Sequence, residues 1–367
     1  MRKQTLSFVC CLILAASTAL TTVAQKTGKI VGGPLAVKVT NRAATIAWIV
    51  QPDEVTLRPS GDAAAIEAPV LRTETVTLTS LKPNTRYEYN ISSAGEDGDG
   101  SFKTPPAGSE PYRFLVYGDN RTRHDVHRKV IAEVMKHGIP DFILQTGDMV
   151  EDGNDSALWP IFFDIEKDLL RQSAFFPAIG NHERTSHYVE DIFQEGAPYY
   201  SFDRGNSHIT VIDSELTTAA SNQAGRDAFW AQQLHWIEED LKFHQKADYR
   251  FVAAHHPPFT AVTSRQGDNP HMMALAGLLE RYHVSAGFFG HDHNYQHYFK
   301  NNIHYVITGG GGAPLYDVNT PPQGITQKVV SVENFVSVSV DGKVAHIEAI
   351  AIDGRTLDQF DIESPIR

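Results

Sequence analysis

The chain has 367 residues, which is long enough for two domains that each bury a core of their own. Hydrophobic residues make up 41% of the chain and charged residues 21%, a composition typical of a folded globular protein that excludes a disordered or fibrous chain. The net charge of −12 argues against a nucleic-acid-binding surface, which requires a concentrated basic stripe.

Residues 1–24 have the pattern of a cleaved secretory signal peptide. Two basic residues open the chain, residues 6–20 are largely apolar, and residues 22–24 end in a small-residue cleavage pattern. A retained anchor is the alternative, but the apolar stretch is short for a membrane span. Both cysteines, Cys10 and Cys11, lie in this segment, so no thiolate is left to bind a metal in the mature chain. We therefore expect a secreted or periplasmic protein whose mature chain has no membrane span.

Residues 25–105 have the pattern of short β-strands. Residues 45–50 and 74–78 cluster β-branched and aromatic side chains. In residues 81–91 a leucine and a proline introduce a tyrosine-bearing strand, which resembles the E–F corner of fibronectin type III domains. Trp48 resembles the core tryptophan of that family. The resemblance implies an all-β fibronectin-like sandwich, and any other small β-sandwich would leave the functional argument unchanged.

A linker separates this segment from a different pattern. Residues 106–111 have the composition of a linker, with two prolines, a glycine and a serine. Within residues 112–367, apolar strands such as 114–117 alternate with helical stretches such as 127–137, which favours βαβ units. The helical stretch 229–243 carries apolar residues on one face, and we interpret that stripe as core packing.

Five segments after the linker share one design, in which an apolar run ends in a small residue followed by aspartate, asparagine or histidine. Strand ends of an α/β sheet are where ligand sites form, and glycine there lets the backbone turn tightly. One such segment is a weak indicator because Gly-Asp is a common turn, whereas five in this order are a strong signal. The segments are 116–121, 144–148, 178–183, 252–258 and 288–293.

The residue types of these segments suit a pair of metal ions. Carboxylate, imidazole and amide oxygen are donors for iron, zinc or manganese rather than for a soft, thiolate-preferring metal. Two metal ions about 3.5–4 Å apart can hold a hydroxide and clamp a phosphoryl group for in-line attack. Two aspartates and a hydroxide leave two divalent ions with a net charge of roughly +1, which attracts a phosphate dianion. The segments therefore predict a centre of two divalent or trivalent metal ions.

Residues 112 to about 350 resemble the calcineurin-like metallophosphoesterases, whose motifs run Gly-Asp, Gly-Asp, Gly-Asn-His, His and Gly-His-x-His. The Gly-Asn-His-Glu form, the His-x-Pro loop and the preceding β-sandwich are most similar to the purple acid phosphatase branch. The resemblance implies a two-sheet α/β (α+β) fold flanked by helices. It also implies that Asp148 bridges both metals and that His182 contacts the phosphate as a general acid or electrostatic stabiliser. The other implied metal ligands are Asp119 and His293 for the first metal and Asn181, His255 and His291 for the second.

Two positions depart from the family pattern. Many metallophosphoesterases have a histidine ligand two residues after the first aspartate, where this chain has Arg121. Purple acid phosphatases place a tyrosine ligand three residues after the bridging aspartate, where this chain has Glu151, so a purple colour is not expected. Arg121 either binds the substrate phosphate with its planar fork or forms a salt bridge at the pocket rim. Glu151 either faces outward or supplies the missing oxygen ligand.

The sequence also indicates roles for three histidine and glutamate residues and a glycine run around the site. His255 is preferred to His256 as a metal ligand because its spacing matches the His-x-Pro loop, and His256 is then expected either to lie behind the ligands or to face the substrate. Glu183 is expected to orient the neighbouring His182. The glycine run 309–312 either lets the backbone pass close to the metals or forms a plain turn.

These features predict a secreted dinuclear phosphoesterase that hydrolyses phosphomonoesters of small molecules by attack of a metal-bridging hydroxide. A phosphodiesterase or nucleotidase on the same site is the alternative, because pocket walls rather than metal loops decide between monoesters and diesters. An alternative of another class is a non-catalytic binding or adhesion module, in which a weakened first metal position has lost its activity.

Overall fold

The computed structural model describes residues 28–364 apart from 53–55, 58–65, 68–70, 94, 184 and 194, so the predicted signal peptide lies outside the described residues. This part of the chain forms twenty strands, six α-helices and a 3-10 helix at Thr263–Arg265. The helices are α1 (His124–Lys136), α2 (Leu158–Leu170), α3 (His187–Phe193), α4 (Leu216–Ala219), α5 (Gln223–Phe243) and α6 (Pro270–Arg281). The strands are β1 (Lys29–Val37), β2 (Ala43–Gln51), β3 (Thr56–Leu57), β4 (Ile66–Glu67), β5 (Arg72–Thr79), β6 (Arg86–Ser93), β7 (Glu96–Lys103), β8 (Tyr112–Tyr117), β9 (Phe142–Gln145), β10 (Ala174–Pro177), β11 (Tyr200–Arg204), β12 (Ser207–Ile212), β13 (Tyr249–Ala254), β14 (Ala286–Phe289), β15 (Tyr295–Lys300), β16 (Ile303–Thr308), β17 (Thr326–Val330), β18 (Asn334–Asp341), β19 (Val344–Ala351) and β20 (Thr356–Glu363).

Two large sheets pack face to face, which confirms the predicted two-sheet fold. The first has the strand order β20-β19-β18-β8-β9-β10-β1-β2-β5, and the second has the order β11-β12-β13-β14-β16-β15-β17. Side chains of β8 alternate between two environments, as the period of a strand requires. Phe114 and Val116 face the second sheet, whereas Leu115 and Tyr117 face the helices.

Helices cover the outer faces of both sheets. Helices α1, α2 and α3 pack on the nine-stranded sheet through a cluster that includes Trp159 and Phe175. Helices α5 and α6 pack on the seven-stranded sheet, and Trp230, Ile237 and Leu241 of α5 are buried there, which confirms that the apolar stripe is core packing. None of the helices in the described part of the chain has the length and apolarity needed to cross a membrane.

The N-terminal segment joins the nine-stranded sheet. Strands β1, β2 and β5 extend that sheet at one edge, where Ala36 of β1 pairs in parallel with Ala174 of β10. The β6–β7 hairpin forms a second layer, and its buried Phe102 shares a core cluster with Trp48 of β2. The two layers of this segment are therefore continuous with the core of the larger fold.

A hydrogen bond links Tyr87 of β6 to the chain segment before that strand. The backbone N–H of Lys82 donates a hydrogen bond to the Tyr87 hydroxyl at 2.8 Å, which is the contact that a corner tyrosine makes. The assignment of residues 25–105 to a fibronectin-like unit, with a boundary at 106–111, stays a prediction.

Parallel strands place two sets of loops at one edge of the molecule. Strands β8, β9 and β10 run parallel in the first sheet. Strands β12, β13, β14 and β16 run parallel in the second. Because the carboxyl ends of parallel strands lie at the same edge, the five polar segments of the sequence meet where the two sheets adjoin.

Candidate metal centre

The first sheet contributes three oxygen donors, each placed just after a strand. Asp119 follows β8, Asp148 follows β9 and Asn181 follows β10. Asp119 and Asp148 both have a φ of 57°, a left-handed conformation that is uncommon for residues other than glycine. The N–H of Asp119 donates to the Gly147 carbonyl at 2.9 Å, so the two loops support each other. Backbone strain at these two carboxylates is typical of functional positions.

The second sheet contributes three imidazoles. His255 follows β13, and His291 and His293 follow β14. All three are buried. His291 has a φ of 68°, and its N–H donates to both carboxylate oxygens of Asp119, at 3.0 and 2.9 Å. These hydrogen bonds tie the second sheet's loop to the first sheet's carboxylate.

The six donors converge in two overlapping groups. His255 Nε2 lies 3.1 Å from Asn181 Oδ1 and 3.4 Å from Asp148 Oδ1. His291 Nδ1 lies 3.1 Å from the same Asn181 oxygen. On the other side, His293 Nε2 lies 3.4 Å from Asp119 Oδ1. Ligand atoms of Asp119, Asp148 and His255 all lie within 4.8 Å of one another, so the two groups adjoin and could hold metal ions.

Hydrogen bonds to carbonyls orient two of the imidazoles. His255 Nδ1 donates to the Thr146 carbonyl at 2.8 Å, and His293 Nδ1 donates to the Pro314 carbonyl at 2.6 Å. Each ring therefore has a proton on Nδ1, and Nε2 is the nitrogen that faces the carboxylates and could bind a metal ion. Metal-binding histidines are held in the same way, by a hydrogen bond from the nitrogen that does not bind the metal.

Local charges and burial favour the metal-binding form of Asp148 and His291 and oppose it at His255. Burial raises the pKa of the Asp148 carboxyl, but the charges of His255, His182 and Arg121 outweigh burial and hold that pKa below its ordinary value. Burial, with His256 and His255 next to it, lowers the pKa of His291 far below its ordinary value, so His291 stays neutral. Burial lowers the pKa of His255, but Asp148 and Asp119 outweigh it and raise that pKa, so a metal ion must displace a proton there.

Two glycines allow the backbone to approach the carboxylates. A Cβ atom on Gly180 would overlap Asp148 Oδ1, and a Cβ on Gly309 would lie 2.8 Å from Asp119 Oδ2. Gly309 belongs to the glycine run 309–312, which was expected either to pass close to the metals or to form a plain turn. Its position favours close passage of the backbone beside the centre.

The profile of the calcineurin-like phosphoesterase family matches residues 112–295, which contain all six donors and half of the chain. The chain belongs to the calcineurin-like phosphoesterase family. Among curated relatives, purple acid phosphatase 21 of Arabidopsis thaliana is 28% identical over 243 residues, which cover 61% of this chain and 52% of that protein. The chain thus spans about half the length of that relative. Tartrate-resistant acid phosphatase type 5 of Rattus norvegicus is 28% identical over 246 residues, covering 57% of this chain and 74% of that protein.

A solved structure shares the fold over most of the chain. A purple acid phosphatase from yellow lupin (Lupinus luteus) seeds superposes with a TM-score of 0.70 at 17% sequence identity. The match covers 90% of this chain and 74% of the lupin protein. It therefore extends beyond the family profile and supports the overall fold.

The predicted substrate residues lie around the donors. His182 Nε2 lies 3.8 Å from Asp148 Oδ2, and the His182 side chain is partly exposed. Arg121 Nε lies 3.4 Å from the same Asp148 oxygen, while the Arg121 guanidinium donates to the Glu151 carboxylate. The His256 ring centroid lies 4.0 Å from that of His291, so His256 borders the centre as well.

One interpretation of a residue near the centre needs revision. The carboxylate of Glu183 accepts hydrogen bonds from the N–H groups of Asp148, Gly180 and Val150, so Glu183 holds the Asp148 loop rather than the His182 ring. His256 Nδ1 lies 3.0 Å from Glu215 Oε1, so one nitrogen of His256 faces the protein. A glutamate two residues after a predicted asparagine ligand is visible in the sequence, but its backbone partners are not.

Two residues at the centre escaped sequence analysis. Arg265 contacts His291 Nε2 through its guanidinium and donates to the Tyr316 hydroxyl at 3.0 Å. The Tyr316 ring stacks on His293 with centroids 4.3 Å apart and an angle of 14° between planes. Neither residue lies in one of the five polar segments, so local sequence carried no signal for either.

Proposed function

We propose that this chain is a secreted or periplasmic metal-dependent phosphoesterase that hydrolyses phosphomonoesters of small molecules at a centre of two metal ions. The observation that carries the proposal is the convergence of six oxygen and nitrogen donors from five loops, with His255 Nε2 only 3.1 Å from Asn181 and 3.4 Å from Asp148. Membership in the calcineurin-like phosphoesterase family and the acid phosphatase names of curated relatives support it.

The donor set fits two ions of the harder transition metals. Asp119, His293 and Asp148 would hold the first ion, and the second would be held by Asp148, Asn181, His255 and His291. Carboxylate, amide and imidazole donors suit iron, zinc or manganese. Such a pair, when bound, supplies a nucleophile from water at neutral pH and electrostatic stabilisation of the transferring phosphoryl group.

The side chains around the donors have separate tasks. His182 Nδ1 donates to the Glu151 carbonyl at 2.5 Å, so Nε2 is the nitrogen that can donate a proton to the oxygen of the leaving group. The Arg121 guanidinium provides a planar fork for a phosphate oxygen. His256, beside His291, contributes a further contact to the substrate side of the centre.

Metal analysis combined with a substrate panel tests this function. Purified protein is expected to contain two metal ions per chain and to hydrolyse aryl phosphates faster than bis-aryl phosphates or nucleotides. Faster cleavage of bis-aryl phosphates would favour the phosphodiesterase, and faster cleavage of nucleotides the nucleotidase. Absence of both metal and turnover would favour the non-catalytic module.

Substitution of the shared carboxylate tests the assignment of the bridge. Asp148→Asn is expected to lower kcat by about 1,000-fold or more. The proposed role of Asp148 is to bind both metal ions, so its loss should disable the whole centre. The matched control is Asp152→Asn, which changes a neighbouring exposed aspartate in the same way. Full activity of Asp148→Asn with normal metal content would exclude Asp148 as the bridge.

A further inference from the structure

The two proposed metal positions differ in their number of donors. Four donors border the second position, and the contacts of His255 and His291 with Asn181 are both 3.1 Å. Within the part of the chain that the structure describes, three of the predicted donors border the first position: Asp119, His293 and the shared Asp148. The missing fourth donor corresponds to the two sequence positions where this chain has Arg121 and Glu151.

Arg121 contacts one oxygen of the shared Asp148 carboxylate, whereas His255 of the second position contacts the other oxygen. Arg121 Nε lies 3.4 Å from Asp148 Oδ2, and only 13% of its side chain is exposed. Its backbone N–H donates to the Asp148 carbonyl at 3.3 Å, so the main chain fixes the start of the side chain. A guanidinium has donors and a permanent charge but no lone pair, so it cannot bind a metal ion.

Glu151 faces Arg121 rather than the donors. Its carboxylate accepts a hydrogen bond from the Arg121 guanidinium, and 49% of its side chain is exposed. The carboxylate that could have replaced the missing ligand is thereby paired with a cation at the rim. The ion pair with Glu151 also keeps the Arg121 guanidinium beside Asp148.

We propose that the Arg121–Glu151 pair makes the two metal positions unequal, so that the second position holds its ion tightly while the first binds its ion weakly and exchanges it. This inference rests on the proposed function, and it adds that activity follows the supply of free metal. Two physical effects act in the same direction. The first position lacks one donor, and a fixed positive charge beside Asp148 repels a cation that shares this carboxylate.

Titration of metal-free protein with Mn²⁺ alone, and separately with Zn²⁺ alone, tests the proposal. The full chain is stripped with a chelator, and stoichiometry and affinity are followed by calorimetry. The wild type is expected to bind one ion at least about 10-fold more tightly than the other, since even a change outside the metal ligands shifts affinity about 10- to 100-fold. Two ions of equal affinity in an active enzyme would overturn the inference and leave the proposed function intact. Failure to bind any ion would overturn both.

Variants identify the weak position and its cause. Asp119→Asn keeps an oxygen but removes the negative charge, so it should weaken the weak ion further and leave the tight ion unchanged; loss of the tight ion instead would overturn the assignment. Arg121→His removes the cation and adds an imidazole, so it should tighten the weak ion by about 10-fold or more. Arg121→Gln removes only the cation and should give a smaller gain.

Two further variants act as controls. Arg128→His makes the same change in an exposed pair, Arg128 with Asp164, on the helices and should leave both affinities unchanged. Glu151→Gln should not weaken the weak ion, because Glu151 faces Arg121. A 10-fold weakening in Glu151→Gln would identify Glu151 as a metal ligand and overturn the proposal. Unchanged affinity in both Arg121 variants would overturn it as well.

Discussion

The carboxyl group of Glu183 accepts a hydrogen bond from the backbone N–H of Asp148 at 2.9 Å. The same oxygen accepts one from Gly180 N–H, and the other oxygen accepts one from Val150 N–H at 3.2 Å. Burial and the charge of Asp148 raise the pKa of Glu183 to about 8. A single buried side chain therefore satisfies three amides of the loops that present Asp148 and Asn181.

Truncation of Glu183 should weaken both the fold and the metal centre. Glu183→Ala leaves buried amides without an acceptor, so we expect a loss of about 1–3 kcal/mol in the free energy of unfolding. Metal affinity should fall about 10- to 100-fold, because the loop that aims Asp148 loses its support. Urea unfolding and metal titration measure the two effects. Glu183→Gln keeps an acceptor oxygen and should lose less, and Glu239→Ala on the exposed face of α5 should change neither quantity. Unaltered metal affinity in Glu183→Ala would show that the loop holds its shape without this carboxyl.

Removal of the His182 imidazole should slow the reaction without emptying the centre. His182→Ala is expected to lower kcat by about 100- to 10,000-fold, the range for loss of a general acid. Metal content should stay at the wild-type value, because His182 is not among the six donors. Steady-state kinetics with an aryl phosphate and metal analysis of the same sample measure both. His187→Ala, an exposed histidine on α3, is the control. Loss of bound metal from His182→Ala would instead identify His182 as a metal ligand.

Chelation should lower the thermal stability of the protein. The centre brings Asp119 and Asp148 together inside the fold, and a cation bound only by the folded state shifts the folding equilibrium. Metal at about 100 times its Kd should add about 2.7 kcal/mol to the free energy of unfolding. Thermal melting with and without Mn²⁺ measures the shift in Tm. Asp148→Asn should lose most of it, and an identical Tm in the chelated and loaded wild type would contradict a bound metal.

A second histidine network lies away from the metal centre, near the amino end of β12. His208 Nδ1 lies 2.8 Å from Asp203 Oδ1, and its Nε2 lies 2.9 Å from Asp240 Oδ2. Because carboxylates only accept, both ring nitrogens donate, and His208 is an imidazolium. Burial lowers the pKa of His208, but the hydrogen bonds that its ring donates to Asp203 and Asp240 outweigh burial and raise that pKa above its ordinary value of 6.5. The His208 ring also stacks on His244 with centroids 3.5 Å apart.

This network should make stability fall at alkaline pH. The contribution of His208 is fully present below its unfolded pKa and is lost as the pH rises through its higher folded pKa. The free energy of unfolding of the wild type should therefore fall as the pH rises above the ordinary histidine pKa of 6.5, and His208→Gln should flatten that fall. At about pH 6, His208→Gln should cost about 1–3 kcal/mol. His346→Gln, which changes an exposed histidine–aspartate pair, is the control. An equal pH dependence in His208→Gln and the wild type would contradict this account.

Residue types at strand ends predicted that five polar segments would meet, and the family resemblance named six candidate donors within them. All six predicted donors lie together in the structure, and Arg121, His182 and His256 lie beside them. The roles of Glu183 and Tyr316 could not be predicted in the same way. Glu183 acts on backbone amides of a loop 35 residues earlier in the chain, and Tyr316 stacks on His293 from outside the motifs.

By itself the sequence determined which chemistry the chain can support, because side chains that follow parallel strands must lie at one edge of a sheet whatever the packing of the rest. Only the tertiary structure decided how Arg121 and Glu151 share that edge, since both alternatives for each residue satisfied the local pattern. Strand order, too, was decided only by the tertiary structure. Whether β1 hydrogen-bonds to β10 depends on contacts between residues more than a hundred positions apart, and local periodicity does not record them.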